Sequence, residues 1–141
     1  MEAKSIKLSQ KDLWRIVTTI EDYPTWCKFC QRIIAAPSKI EEGAVWIDVT
    51  TLLWIPLKIK HIVKKVRPYE ELDVFLPLPI GGKMWFKFCF KQKGKYSYMT
   101  SEVSFDLGHR LIDETVGRIL EKRWRELLDQ GFPGLDEKKY L

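Results

Sequence analysis

The sequence predicts an α+β domain in which an antiparallel sheet of six to seven strands wraps around a long C-terminal helix. Between Ile33 and Asp106, apolar and polar residues alternate with a period of two, which is typical of half-buried strands. The turns between these strands are too short to hold crossover helices, so the strands must pair antiparallel. From about His109 to Gln130, apolar residues recur every three or four positions, which predicts a helix that covers one face of the sheet.

The N-terminal segment predicts one short strand followed by two short helices. The strand is expected at Ser5 to Leu8, and Ser9 can cap a helix that continues to Ile20. Pro24 lies in the first turn of a second helix, which we expect from Tyr23 to Phe29. This order places both helices before the main run of strands.

The alternation in the strands and the stripe on the helix predict which residues enclose a space between sheet and helix. They are Val45, Ile47, Val49, Ile59, His61, Phe75, Phe86, Phe88, Met99 and Val103 from the strands, and Ile112, Val116 and Ile119 from the helix. The one polar member is His61. An inward histidine is usually a core residue with satisfied hydrogen bonds, but in a ligand pocket it would anchor the polar end of an apolar molecule.

Two of the predicted turns, Leu52 to Leu57 and Phe75 to Ile80, are apolar, although turns normally face water. The turns at Lys39 to Gly43, Arg67 to Glu71 and Lys91 to Lys95 are charged. Alternate turns of a meander lie at opposite ends of the sheet, so both apolar turns should share one pole. A concentration of apolar residues at one pole indicates that something hydrophobic docks or enters there.

The apolar pole therefore predicts a cavity mouth. Its expected residues are Trp54, Ile55, Leu78, Ile80 and Leu111. Trp54 and Leu78 should lie close together, at the pole opposite Glu42 and Lys93, and be exposed in the unliganded monomer unless a second subunit covers them.

Length and composition set the broad class. We expect one domain over residues 1–132 and a flexible tail over 133–141, since 141 residues suit a single core. No apolar run reaches the length of a membrane span, and the N-terminus lacks a signal-peptide core, so a cytoplasmic location is expected. The odd number of cysteines favours reduced thiols. The net charge of +5 is spread over scattered lysines, which does not predict a nucleic-acid site.

The cysteines do not predict a reactive or metal-binding site. Trp26-Cys27-Lys28-Phe29-Cys30 has the spacing of a redox site, but it falls within a helix that follows another helix, so structural thiols are the preferred interpretation. A zinc site would need paired ligands, and Cys89, His61 and His109 fall on different elements. No metal and no cofactor is predicted.

The segments Asp12 to Val17 and Ile20 to Trp26 resemble the opening helix and the Tyr-Pro-x-Trp element of the helix-grip superfamily. That superfamily includes START-related lipid-transfer proteins, pollen-allergen-like proteins, polyketide cyclases/dehydrases and coenzyme-Q-binding proteins. The resemblance extends over the whole order of elements. It implies a hydrophobic cavity between the sheet and the C-terminal helix.

Three functions follow from these observations. The preferred one is a carrier that binds a lipid, an isoprenoid or quinone, or a polyketide-like molecule, with a mouth that contacts a membrane surface. The alternative is a cyclase/dehydrase-like enzyme, in which His61 is the one obvious acid or base, so an enzymatic role is left undecided and is the less favoured. The third is an interaction module whose apolar turns bind a partner or form a homodimer.

Overall fold

The computed structural model describes residues 2–6, 8–27, 29–52, 55–79 and 81–129, with side chains described between residues 8 and 123 apart from 28, 52–54 and 80. Within this part the chain forms strands β1 Glu2–Ile6, β2 Cys30–Ala35, β3 Val45–Leu52, β4 Ile55–Arg67, β5 Glu71–Pro77, β6 Lys83–Lys93 and β7 Tyr96–Asp106, and helices α1 Gln10–Thr18, α2 Tyr23–Trp26 and α3 Arg110–Asp129. The predicted tail lies outside the described residues.

The strands form one antiparallel sheet in the order β1-β7-β6-β5-β4-β3-β2. Strands β2 to β7 make a meander, and β1 adds to its far edge beside β7. The α+β class, the antiparallel sheet and the two short helices after the first strand are confirmed.

The N-terminal helices begin where their capping residues predict. The Ser9 hydroxyl accepts a hydrogen bond from the Asp12 amide at 3.1 Å, which satisfies one of the free donors of the first turn of α1. Helix α1 ends at Thr18, earlier than expected, and a 3-10 turn over Ile20–Asp22 leads into α2. Helix α2 ends at Trp26, because β2 already begins at Cys30.

The inner face of the sheet follows from the cross-strand register, since directly paired residues share a face. Trp46 of β3 pairs with His61 of β4, and Val63 of β4 pairs with Val74 of β5. All four side chains are buried. They belong to the face that α1, α2 and α3 cover.

The predicted orientation of β3 is wrong. Val45, Ile47 and Val49 lie on the outer face, where Val49 pairs with Lys58 and Ile47 pairs with Lys60. The inward residues of β3 are instead Trp46, Asp48 and Thr50, which line a cavity. Both alternating sets of β3 contain apolar residues, and the outer set sits beside lysines whose alkyl stems provide apolar neighbours. Alternation alone therefore could not distinguish the two faces.

Phe75 also lies on the outer face, contrary to the prediction. Its ring centroid is 5.5 Å from that of Trp85, and the Nζ atom of Lys64 is 5.5 Å from the Phe75 ring centroid. The inward residues of β5 are Leu72, Val74 and Leu76, which are buried. Phe75 alternates with these inward residues, so its ring packs against Trp85 on the outer face.

Helix α3 is rotated from its predicted orientation. Ile112 and Ile119, expected in the cavity, are 44% and 42% exposed, whereas Gly117 and Leu120 are buried. The Asp113 carboxylate accepts a hydrogen bond from the Leu107 amide at 2.7 Å. Gly117 and Leu120 follow Asp113 by one and two turns, so they lie on the same face of α3 as this contact.

The pairing confirms that the apolar turns share one pole. The β3–β4 turn closes at the Leu52–Ile55 pair and the β5–β6 turn closes at the Pro77–Lys83 pair, while Lys83 also pairs with Asp106 just before α3. The β4–β5 and β6–β7 turns lie at the opposite end. Among the described residues, no helix is both long enough and apolar enough to cross a bilayer.

Candidate ligand-binding cavity

A cavity of about 70 Å³ lies between the inner face of the sheet, helix α2 and helix α3. Its wall is mainly apolar, with a few polar side chains from β3 and β4. The described residues that line it are Tyr23, Trp26, Cys27, Phe29, Cys30, Trp46, Asp48, Thr50, Ile59, His61, Val74, Leu76, Met84, Phe86, Phe88 and Leu120. Strands β3 to β6 supply most of this wall.

The structure brings only some of the predicted cavity residues to this wall. Those that line it are Ile59, His61, Phe86 and Phe88. Met99, Val103 and Val116 pack in or against the core beside it. The residues that lie elsewhere are Val45, Ile47, Val49 and Phe75 on the outer face of the sheet and Ile112 and Ile119 on the exposed side of α3. The role of the lining residues in ligand binding remains a prediction.

Helix α2 and the start of β2 close one side of the cavity, which the strand patterns did not predict. The Tyr23 hydroxyl donates a hydrogen bond to the Val17 carbonyl and so ties α2 to the end of α1. The Tyr23 ring contacts the Trp26 ring at 4.9 Å and the Trp46 ring at 6.0 Å between centroids. The Tyr-Pro-x-Trp element was the signal for this cluster, since both of its aromatic rings are buried here.

The polar residues form a compact group on the β3–β4 side of the wall. The rings of Trp46 and His61 are stacked, with centroids 4.6 Å apart and an interplanar angle of 11°. His61 Nε2 lies 3.8 Å from Asp48 Oδ2. The Thr50 hydroxyl donates a hydrogen bond to Asp48 Oδ1 at 2.6 Å. We call Trp46, Asp48, Thr50 and His61 the polar wall.

Burial controls the charge of the polar wall. It lowers the pKa of His61 to about 3, and the backbone carbonyl of Ile59 offsets this only in part. Burial also raises the pKa of Asp48, while hydrogen bonds from Thr50 and Cys30 limit the shift. His61 is therefore a neutral imidazole at neutral pH, and its contact with Asp48 is not an ion pair there.

The cysteines of the wall are unreactive thiols. Burial raises the pKa of Cys27 to about 11, and burial together with Asp48 raises the pKa of Cys30 further. A thiolate is the nucleophilic form, so neither group is activated at neutral pH. In redox motifs the N-terminus of a helix stabilises the thiolate. Cys27 follows the end of α2 and does not start a helix, so it lacks this stabilisation. Within the described part of the chain, no three potential metal ligands cluster together.

The predicted mouth is only partly exposed. Ile55 at the β3–β4 turn is 58% exposed and Leu111 at the start of α3 is 65% exposed. Leu78 is buried at 6% exposure, so its predicted exposure is wrong. The amide of Leu78 donates to the Gly82 carbonyl at 3.1 Å, which folds the turn over the end of the sheet. Trp54 and Ile80 lie outside the described residues.

Solved structures share this architecture at low sequence identity. TTHA0849 from Thermus thermophilus superposes with a TM-score of 0.74 and 11% identity, covering 98% of this chain and 94% of that one. A START superfamily protein from Mycobacterium smegmatis gives 0.65 and 14%, with coverage of 92% and 93%. DynU16, from the dynemicin biosynthetic locus, gives 0.61 and 15%, with coverage of 94% and 48%.

The chain has the helix-grip fold. No protein-family model matches the sequence, and no curated protein matches it. The fold agrees with the START-like resemblance of the opening helices. At these identities the similarity describes the fold and leaves the ligand open.

Proposed function

We propose that this protein binds and carries a small hydrophobic molecule in the cavity between the sheet and α3. The observation that supports the proposal is a partly open, mainly apolar cavity with a small group of polar side chains on one wall. This combination is typical of small-molecule sites, where apolar walls supply affinity and a few polar groups fix orientation.

The size of the cavity implies that it opens when a ligand binds. Its volume of about 70 Å³ is below the range of roughly 300–1,000 Å³ that is common for ligand pockets. Helix α3 packs mainly against β1 and β7, at one side of the sheet, and Leu120 is its described residue on the cavity wall. A movement of α3 would therefore enlarge the cavity without breaking the pairing of the central strands.

The exposed apolar pole supports loading from a lipid surface. Ile55 and Leu111 are exposed at the end of the sheet where α3 begins, and the nearby Lys58 and Lys83 are also exposed. Apolar side chains flanked by lysines suit the interface of an anionic membrane. If a second copy of the chain covers Ile55 and Leu111, this pole is a dimer contact and not a membrane-docking surface.

A cyclase/dehydrase-like enzyme is the second candidate. The buried approach of His61 Nε2 to Asp48 Oδ2, at 3.8 Å on the cavity wall, favours it because an acid and a base with shifted pKa values are common in active sites. Catalysis would require that turnover be lost in His61→Leu and Asp48→Asn while ligand binding survives. Unchanged turnover in both variants would exclude these groups.

Cavity binding is tested by filling the cavity from its wall. Val74 is buried and lines it, so Val74→Phe places additional volume there at a cost of about 1–3 kcal/mol in stability. We expect wild type to bind the neutral dye Nile red saturably and Val74→Phe to bind it at least about tenfold more weakly. Native mass spectrometry of gently purified protein would identify a co-purified ligand by its mass.

The matched control is Val45→Phe, since Val45 lies on the outer face of the sheet. This variant should bind the dye as wild type does. Unfolding by urea checks that both variants remain folded. Equal dye affinity in wild type and Val74→Phe, or dye binding that does not saturate, would contradict the proposal.

A further inference from the structure

The polar wall contains two buried ring nitrogens without a hydrogen-bond partner in the described part of the chain, and one of them, the indole nitrogen of Trp46, is an N–H donor. Trp46 Nε1 and His61 Nδ1 are buried, and no described atom meets hydrogen-bond geometry with either of them. Both residues are more than nine-tenths buried, and both line the cavity. A buried polar group without a hydrogen bond destabilises the folded state, so a ligand that supplies the missing partner is favoured at this site.

The charged groups around the cavity restrict which chemical group of a ligand can hydrogen-bond to Trp46 and His61. Among the described lining residues, Asp48 is the one carboxyl group and there is no lysine or arginine. His61 cannot supply a countercharge at neutral pH because burial keeps it neutral. A carboxylate or phosphate entering this cavity would lose its hydration shell without gaining a cation from any described lining residue, and it would lie beside Asp48.

A neutral polar group avoids both penalties. A hydroxyl can donate a hydrogen bond to the Asp48 carboxylate and accept one from an N–H of the polar wall, whereas a carbonyl can accept from that N–H. An ammonium group could pair with Asp48, but it would be desolvated in a wall whose other members are neutral.

We infer that the ligand is an uncharged molecule whose single hydroxyl or carbonyl group is recognised by Asp48, His61 and Trp46. This inference rests on the proposed function and narrows it, because it excludes fatty acids and phospholipids and favours alcohols, phenols and ketones. The apolar remainder of the ligand would lie against the rings of Phe86 and Phe88.

Three probes that share one ring system test the inference. They are 2-naphthol, 2-naphthoate and 2-naphthylmethylammonium, whose binding at pH 7.5 is measured by fluorescence and calorimetry. We expect 2-naphthol to bind at least about tenfold more tightly than either charged probe, since each charge must be desolvated in the cavity. Nile red binding is measured in parallel on the same protein.

Two variants separate the role of Asp48 from general effects of charge. Asp48→Asn keeps the shape of the side chain and removes its charge, so we expect 2-naphthoate to gain affinity relative to 2-naphthol. Asp73→Asn is the matched control, because Asp73 pairs with Lys87 on the outer face, and it should leave the ratio unchanged. Thr50→Val offers a second change at the polar wall, and it should weaken 2-naphthol binding by disturbing the orientation of Asp48.

The possible failures are distinguishable. If Nile red binds but 2-naphthoate or the ammonium probe binds as tightly as 2-naphthol, the cavity is real and the inference of a neutral ligand is wrong. If the ratio of the affinities for 2-naphthol and 2-naphthoate is the same in Asp48→Asn as in wild type, the inference of a neutral ligand is also wrong. If neither Nile red nor any of the three probes binds, the proposed function fails and this inference fails with it.

Discussion

Acidification should destabilise this protein through His61. The free energy of unfolding depends on pH wherever the folded and unfolded chains bind different numbers of protons. Burial lowers the pKa of His61 from 6.5 to about 3 in the folded state. Between these values the unfolded chain holds the extra proton, so stability is complete above pH 6.5 and falls as the pH decreases toward 3.

The expected magnitude follows from the size of this shift. One pH unit corresponds to about 1.36 kcal/mol for a single proton. At pH 5 the solution is about 1.5 pH units below the pKa of His61 in the unfolded chain. Lowering the pH from 7 to 5 should therefore reduce the free energy of unfolding by about 2 kcal/mol through His61. Asp48 acts in the opposite direction, because its pKa is raised in the folded state and its protonation favours folding.

The assay compares His109→Asn with the double variant His61→Leu/His109→Asn. The chain has two histidines, so His61 is the one remaining titrating imidazole in the first protein and is absent from the second. Urea unfolding at pH 7 and pH 5 gives the loss of stability for each, and Asp48 is present in both. We expect the first protein to lose about 2 kcal/mol more than the second. Equal losses would refute a buried, neutral His61.

Two further predictions concern α3 and the apolar pole. Leu120→Ala should lower the free energy of unfolding by about 2–5 kcal/mol, and Ile119→Ala by less than about 1 kcal/mol, because Leu120 is buried and Ile119 is exposed. Urea unfolding tests this, and the reverse order would mean that α3 has the rotation expected from the sequence. Ile55→Ser combined with Leu111→Ser should reduce co-sedimentation with anionic liposomes without lowering stability, whereas Tyr96→Ser at the opposite pole should not. Wild type that ignores liposomes and sediments as a dimer would contradict membrane docking.

Most of the fold could be predicted from local patterns. The period-two alternation, the short turns and the C-terminal apolar stripe were sufficient for an antiparallel meander followed by a long helix. Local chemistry also determined the cap at Ser9, which depends only on residues within one turn. The sharing of one pole by both apolar turns followed from the geometry of a meander and needed no tertiary information.

The cavity wall was harder to predict, because strand alternation defines two faces and does not say which one is covered. On β3 both faces contain apolar residues, so the inward set was decided by the contacts of Asp48 with Thr50 and His61. In β4 a register shift between Val63 and Lys65 changes which face later residues occupy. Phe75 lies outside this shift, and its outer position follows from its pairing with Ile62, the neighbour of the inward His61.

Local sequence patterns were sufficient to predict the class of fold, the order of its elements and the inward position of His61. Long-range packing set the rotation of α3, which buries Leu120 in the core, and it set which polar groups meet on the cavity wall. The two groups of features differ in the range of the interactions that determine them. Caps, turns and alternation act over a few neighbouring residues, whereas the approach of Asp48 to His61 depends on strand pairing between β3 and β4 and on burial by helices from both ends of the chain.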